Sequence, residues 1–126
     1  MASWSMNPQQ RLAWIQSCLD LGISSFDHAD IYGDFAVQEL FGQALALQPQ
    51  LRSRLQIITK AGICPVSDRF ASRHTKHYDS SAAHLIASCE QSLRELRTDY
   101  LDVLLIHRPD PLSDWQDIAL AFERLR

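Results

Sequence analysis

The sequence predicts an α/β chain built on a parallel sheet, and three observations carry that prediction. Short apolar runs end at Asp27, at Lys60 and at His107; helical patterns join them; and each run finishes on an ionisable side chain. Apolar runs that alternate with helical patterns read as successive βαβ units, whose strands all point the same way. Their C-terminal ends then share one face, where the catalytic groups of barrels of this class gather. Asp27, Tyr32, Lys60 and His107 are expected to converge there.

The elements follow in order from punctuation and period. Asn7 and Pro8 are an N-cap followed by proline at the first helical position, and Leu12, Ile15, Cys18 and Leu19 form a stripe that ends near Gly22. A strand then runs out at Asp27 into a short loop carrying the phenol of Tyr32. Asp34 to Leu47 places Val37, Leu40, Phe41, Ala44 and Leu45 at helical spacing, stopped by Pro49, and predicts one second helix. Leu55 to Lys60 is the second strand. A third helix, capped by Asp79, Ser80 or Ser81, turns Leu85, Ile86, Cys89, Leu93 and Leu96 to the sheet and Glu90, Arg94, Glu95 and Arg97 to water. Leu101 to His107 is the third strand, and Asp114 to Arg126 is an amphipathic helix with no Gly, Asn or Pro terminator. No repeat, linker or low-complexity tract interrupts this order.

Between the second strand and the third helix, Cys64 to Tyr78 is polar and holds Arg69, Arg73, His74, Lys76 and His77. Loops of this length are uncommon unless functional or mobile. On the catalytic face it would wall a substrate pocket; the plainer reading is a solvated loop. His74 and His77 lie near Cys64 without a fourth clear ligand, so no metal site is expected.

The 126 residues are 46% hydrophobic and 21% charged with a net charge of −3, which gives no basic surplus for nucleic acid. The apolar runs fall well short of the ~20 residues that span a bilayer, and the N-terminus lacks a signal pattern. A cytoplasmic location is the expectation, with no membrane partner. Three cysteines, Cys18, Cys64 and Cys89, are an odd count without metal spacing and read as buried or half-exposed thiols of a reducing compartment.

A family resemblance rests on six stretches: Leu21-Gly22-Ile23 leading into Asp27-His28-Ala29-Asp30-Ile31-Tyr32-Gly33; Thr59-Lys60-Ala61-Gly62-Ile63; Glu90-Gln91-Ser92-Leu93; Thr98-Asp99-Tyr100-Leu101-Asp102; and Leu105-Ile106-His107-Arg108-Pro109-Asp110. Together they resemble the aldo-keto reductases, and among them a bacterial subgroup of NADPH-dependent oxidoreductases with this Asp-His-Ala-Asp-Ile-Tyr-Gly motif. The resemblance implies a (β/α)₈ TIM barrel, of which 126 residues are about half the usual ~250. Residues 1–126 are then an incomplete domain holding roughly the second to fourth βα units. The first strand, and the C-terminal half that binds most of the dinucleotide, fall outside it. Met1 to Met6 resembles the loop after the first strand, with Trp4 in the place of a tryptophan common in the subgroup.

What carbonyl reduction demands agrees with the four residues. Negative charge grows on the carbonyl oxygen as hydride arrives and needs a proton or preorganised donors. A phenol of ordinary pKa near ~10 donates poorly unless a nearby cation stabilises its anion. Tyr32 is expected to be the proton donor, Lys60 the cation beside it, and Asp27 the carboxylate that lets a charged lysine persist in a partly dry site. His107 is expected to bind and orient the substrate carbonyl with Tyr32. These four match the family's Asp, Tyr, Lys and His tetrad, and Asp27 is also read as a cofactor contact. Singly each has a plain structural reading; joint placement at strand ends together with the family resemblance overturns it.

Strand alternation turns His28 away from the barrel mouth, and Asp30 simply holds the loop. Gln38 stands where the family usually has Glu, near the start of the second helix, where a carboxylate would favour the dipole. The expected function is NADPH-dependent reduction of small aldehydes or ketones, with 126 residues inactive alone. The alternative is a non-catalytic accessory or regulatory subunit, or an inactive remnant. An open sheet exposes its edges and inner face, so self-association is expected.

Overall fold

The structure, a computed structural model, describes residues 5–126; the expected loop after a first strand, with Trp4, lies largely outside them. Helix α1 (Pro8–Asp20) opens on a capping box: Asn7 Oδ1 accepts from the Gln10 amide and Gln10 Oε1 from the Asn7 amide, both at 2.9 Å. Gly22, at φ +80°, supplies the left-handed residue that turns the chain out of the helix.

Strand β1 (Ser25–Asp27) leads through α2 (Tyr32–Phe35) and α3 (Val37–Leu45) to β2 (Gln56–Ala61). A short pair, β3 (Ile63–Cys64) and β4 (His77–Tyr78), precedes α4 (Ala82–Leu96), β5 (Val103–Ile106) and α5 (Trp115–Leu125). The main sheet is parallel in the order β1-β2-β5, with Asp27 opposite Ile58 and Lys60 opposite Leu105. This is the expected βα, βα, βα order.

Strand alternation separates two sheet faces. Phe26, Ile57, Thr59 and Ala61 point to the helices and are buried; Ile57 and Phe26 pack with Ile15, Phe41, Leu45, Leu55 and Leu96. Ala61 joins a second cluster with Leu85, Ile118 and Ala121. The opposite face carries Lys60, and there Val103 and Leu105 are 41% and 43% exposed. Helices α3 and α4 meet backbone to backbone at Gly42, where a Cβ would fall on the Glu95 carbonyl oxygen and within 2.9 Å of the Leu96 backbone.

Four expectations need correction. The single second helix is two, because Gly33, Asp34 and Phe35 all adopt positive φ (60°, 52° and 65°) and break the run before Val37. The third strand is shorter than Leu101–His107, because Asp102 turns its Oδ2 to accept from the Ile57 amide (2.8 Å) and Arg52 (2.7 Å). The 64–78 loop is not featureless: its ends pair as an antiparallel ladder, Ile63 with Tyr78 and Cys64 with His77. Glu95 does not face water, since its side chain is 9% exposed and ion-paired to Arg69 at 2.8 Å. The three thiols are free, with Cys64 and Cys89 buried. No helix among the described residues is long and apolar enough to cross a membrane.

Candidate active site

The strand ends bring the four predicted residues together. Asp27 closes β1, Lys60 lies near the end of β2, and His107 follows β5, its amide bonded to the Ala61 carbonyl at 2.8 Å. Tyr32 begins α2, after backbone bonds from His28 to Ile58 (2.8 Å) and from Asp30 to Lys60 (3.1 Å) have carried the pairing past the strand. The Lys60 ammonium is the hub. It donates to Asp27 Oδ2 at 2.7 Å, to the His28 carbonyl at 2.8 Å and to the Tyr32 hydroxyl at 3.3 Å.

Burial works against the charge on Lys60, whose side chain is 15% exposed, but the bonds to Asp27 and Tyr32 outweigh it and hold the pKa above the ordinary lysine value. A lysine that stays charged beside a phenol is what stabilises a phenolate. The imidazole of His107 stands edge-on to the Tyr32 ring, centroids 5.7 Å apart. Burial, and then the Lys60 charge, push the His107 pKa down, which favours the neutral ring. The arrangement is a phenol flanked by a fixed cation and a neutral imidazole, on an open face.

The family profile described as "Aldo/keto reductase family" matches residues 1–126. The chain belongs to the aldo/keto reductase family. It is 49% identical over 123 residues to the uncharacterized oxidoreductase YcsN of Bacillus subtilis, covering 98% of this chain and 41% of that protein. It is 43% identical over 119 residues to a 6-dehydroglucose reductase of Agrobacterium fabrum, covering 94% of this chain and 40% of the relative. Among solved structures it resembles the holo form of aldo-keto reductase AKR11C1 from Bacillus halodurans, with a TM-score of 0.77, 26% identity, and coverage of 98% of this chain and 39% of that one. The chain thus spans about two fifths of the length of the curated relatives it matches, and its parallel sheet with flanking helices is part of a (β/α)₈ barrel.

Within this reductase-family chain, the residues around the four are as informative. His28 points away from the barrel mouth, as alternation requires, and packs edge-on to Phe41 with centroids 4.7 Å apart and 3% exposure. Burial drives its pKa down to about 4; Asp27 opposes that shift and Lys60 adds to it. Asp30 does hold the loop, through a 2.7 Å bond from the Ser88 hydroxyl of α4. Its other oxygen is buried with no partner among the described residues, and burial raises its pKa.

Gln38 is the second residue of α3, at the helix start as expected. It is 1% exposed, and its Nε2 donates to Thr59 Oγ1, the residue before Lys60.

The sequence favours no single residue of the 64–78 segment, yet Arg69 there donates to the Phe35 carbonyl at 2.9 Å. With α4 that segment encloses a cavity of about 400 Å³ lined by Asp30, Phe35, Arg69, Phe70, Ser88 and Glu95, among others, and by none of the four site residues. The segment therefore lies behind the Tyr32 loop rather than across the tetrad.

Proposed function

We propose that this chain carries the proton-transfer machinery of an NADPH-dependent reductase of small aldehydes and ketones. The observation that carries the reading is Lys60 Nζ bonded at once to Asp27 (2.7 Å) and to the Tyr32 hydroxyl (3.3 Å). A relative named as a 6-dehydroglucose reductase supports a small carbonyl substrate.

The residues present fit a nicotinamide at this face. The Asp27 side chain is 57% exposed, and Lys60 engages its Oδ2, so the carboxylate keeps accepting capacity for an amide such as that of nicotinamide. When bound, the reduced nicotinamide supplies hydride to the carbonyl carbon. Tyr32 gives its hydroxyl proton to the carbonyl oxygen as charge grows there. The charge left on the phenolate oxygen meets the Lys60 ammonium, which Asp27 and the His28 carbonyl hold in place. His107, kept neutral, donates an N–H to the same carbonyl oxygen and orients it.

The test is Tyr32→Phe in a full-length barrel built on this sequence. Carbonyl reduction should fall by about 10²–10⁴-fold, while cofactor affinity, followed by fluorescence titration, stays near that of the parent. Near-normal turnover in that variant would remove Tyr32 as the acid.

A further inference from the structure

Tyr32 sits in the middle of a segment tied at both ends to the same helix. On its N-terminal side Asp30 Oδ2 accepts from the Ser88 hydroxyl of α4 at 2.7 Å. On its C-terminal side the Phe35 carbonyl accepts from Arg69 Nη1 at 2.9 Å, and Nη2 of the same guanidinium is ion-paired to Glu95 of α4 at 2.8 Å. Ser88 and Glu95 are seven residues apart, so they lie on one face of α4 about 10 Å apart along the axis.

The backbone between the two ties is held on its own only by short-range bonds, from the Tyr32 amide to Ala29, from Phe35 to Ile31 and from Ala36 to Gly33. Gly33, Asp34 and Phe35 form a left-handed run, and only the first is a glycine. A phenylalanine at φ +65° is a genuine outlier, which persists only where its surroundings over-determine it. Helix α2 is four residues long and has no side-chain cap at Ile31. Beneath it the cavity of about 400 Å³ reaches from Asp30 and Ser88 to Phe35 and Glu95. Over that cavity Phe35 is buried edge-on to Phe70, centroids 4.9 Å apart, so the height of the loop over α4 is set by the two ties together with this one ring contact.

We propose that Ser88 and the Arg69–Glu95 pair are positioning residues for Tyr32, suspending the loop of the proton donor from α4 at two points. This rests on Tyr32 being the acid. Lys60 fixes the phenol from the strand side; the two ties fix the backbone from the helix side. A loose loop leaves the phenol within reach of Lys60 only part of the time, and a misplacement of the order of 1 Å at a reacting group costs up to about 100-fold in rate.

The experiment compares Arg69→Ala, Arg69→Lys and Ser88→Ala in the same full-length barrel built on this sequence. Arg69→Ala should lower kcat by about 10- to 100-fold with KM and cofactor affinity near the parent values. Arg69→Lys should recover part of the loss, because one donor can still reach the Phe35 carbonyl. Hydrogen exchange at the Tyr32, Phe35 and Ala36 amides, bonded to Ala29, Ile31 and Gly33, should quicken in Arg69→Ala while the β2 amides keep their protection. General destabilisation would move both sets together. Should Arg69→Ala fail to fold, Glu95→Gln and Ser88→Ala carry the same expectation. Parent-like kcat and exchange in the Arg69 and Ser88 variants, in an enzyme that Tyr32→Phe inactivates, would overturn the proposal. Full activity in Tyr32→Phe would instead overturn the acid assignment, and with it the catalytic sense of the ties.

Discussion

Lys60→Met removes the charge at the hub of the site while keeping most of the length and apolar contact of the side chain. Two quantities separate in this variant. On the stability side, the Asp27 partner is 57% exposed, so its carboxylate is hydrated when the ammonium goes, and the lost ion pair is worth about 0–1 kcal/mol. The bond to the His28 carbonyl adds about 1 kcal/mol. Unfolding in urea should therefore show a loss of about 1–2 kcal/mol.

On the catalytic side, the phenolate formed in proton transfer loses its only neighbouring cation at 3.3 Å among the described contacts. Turnover should fall by about 10²–10⁴-fold, equivalent to about 3–5 kcal/mol in the barrier. Steady-state reduction of a small aldehyde, read from the nicotinamide absorbance in the full-length barrel, gives that number on the same preparation. Turnover within tenfold of the parent would refute the role of Lys60. A stability loss as large as the catalytic one would make the lysine a structural strut instead.

Two other perturbations test the frame around the site. Arg52 is 8% exposed and donates to Thr98, the Leu55 and Tyr100 carbonyls and Asp102, while its guanidinium lies 3.7 Å from the Tyr100 ring centroid. Arg52→Ala should cost about 2–3 kcal/mol in urea unfolding, since it leaves the buried Leu55 carbonyl unpaired and takes a charged donor from the Tyr100 carbonyl and the half-exposed Asp102; a loss below about 1 kcal/mol, as for an exposed pair, would contradict it. His28 gives a pH dependence. Its pKa is near 4 when folded and 6.5 when unfolded, so the unfolded chain binds the extra proton between those values. Its contribution is complete above pH 6.5 and is lost as the pH falls toward 4, by about 3 kcal/mol in all. His28→Phe should flatten that part of the stability curve; equal slopes for variant and parent would refute it.

What was legible in the sequence is what depends on strand direction and period. Parallel strands ending on Asp27, Lys60 and His107 bring those side chains to one face whatever the loops do, and the motif places Tyr32 one short loop beyond. The loops follow a different physics. Gly33 announces a possible left-handed residue, but nothing local announces Asp34 or Phe35, and the partner of the Phe35 carbonyl, Arg69, lies more than thirty positions away. Glu95 reads as solvent-facing by helical period, but Arg69 on the 64–78 segment and Gln91 of its own helix both bond its carboxylate and leave it 9% exposed. Pairing of Ile63–Cys64 with His77–Tyr78 likewise spans too long a connection for a turn signal. Arg11, buried and bonded to the Leu40 carbonyl at 3.3 Å, is a case where a long side chain reaches across a helix interface that period alone leaves blank.

Gly42 has a reach beyond packing. The carbonyl oxygen that fills the space of its absent Cβ belongs to Glu95, the residue whose carboxylate holds Arg69. A single methyl on α3 would lift that turn of α4, and with it the carboxylate, away from the sheet. The placement of a phenolic oxygen at one end of the barrel is thereby tied to how closely two helices can approach on its outside, and a change with no contact to substrate or cofactor could detune the chemistry.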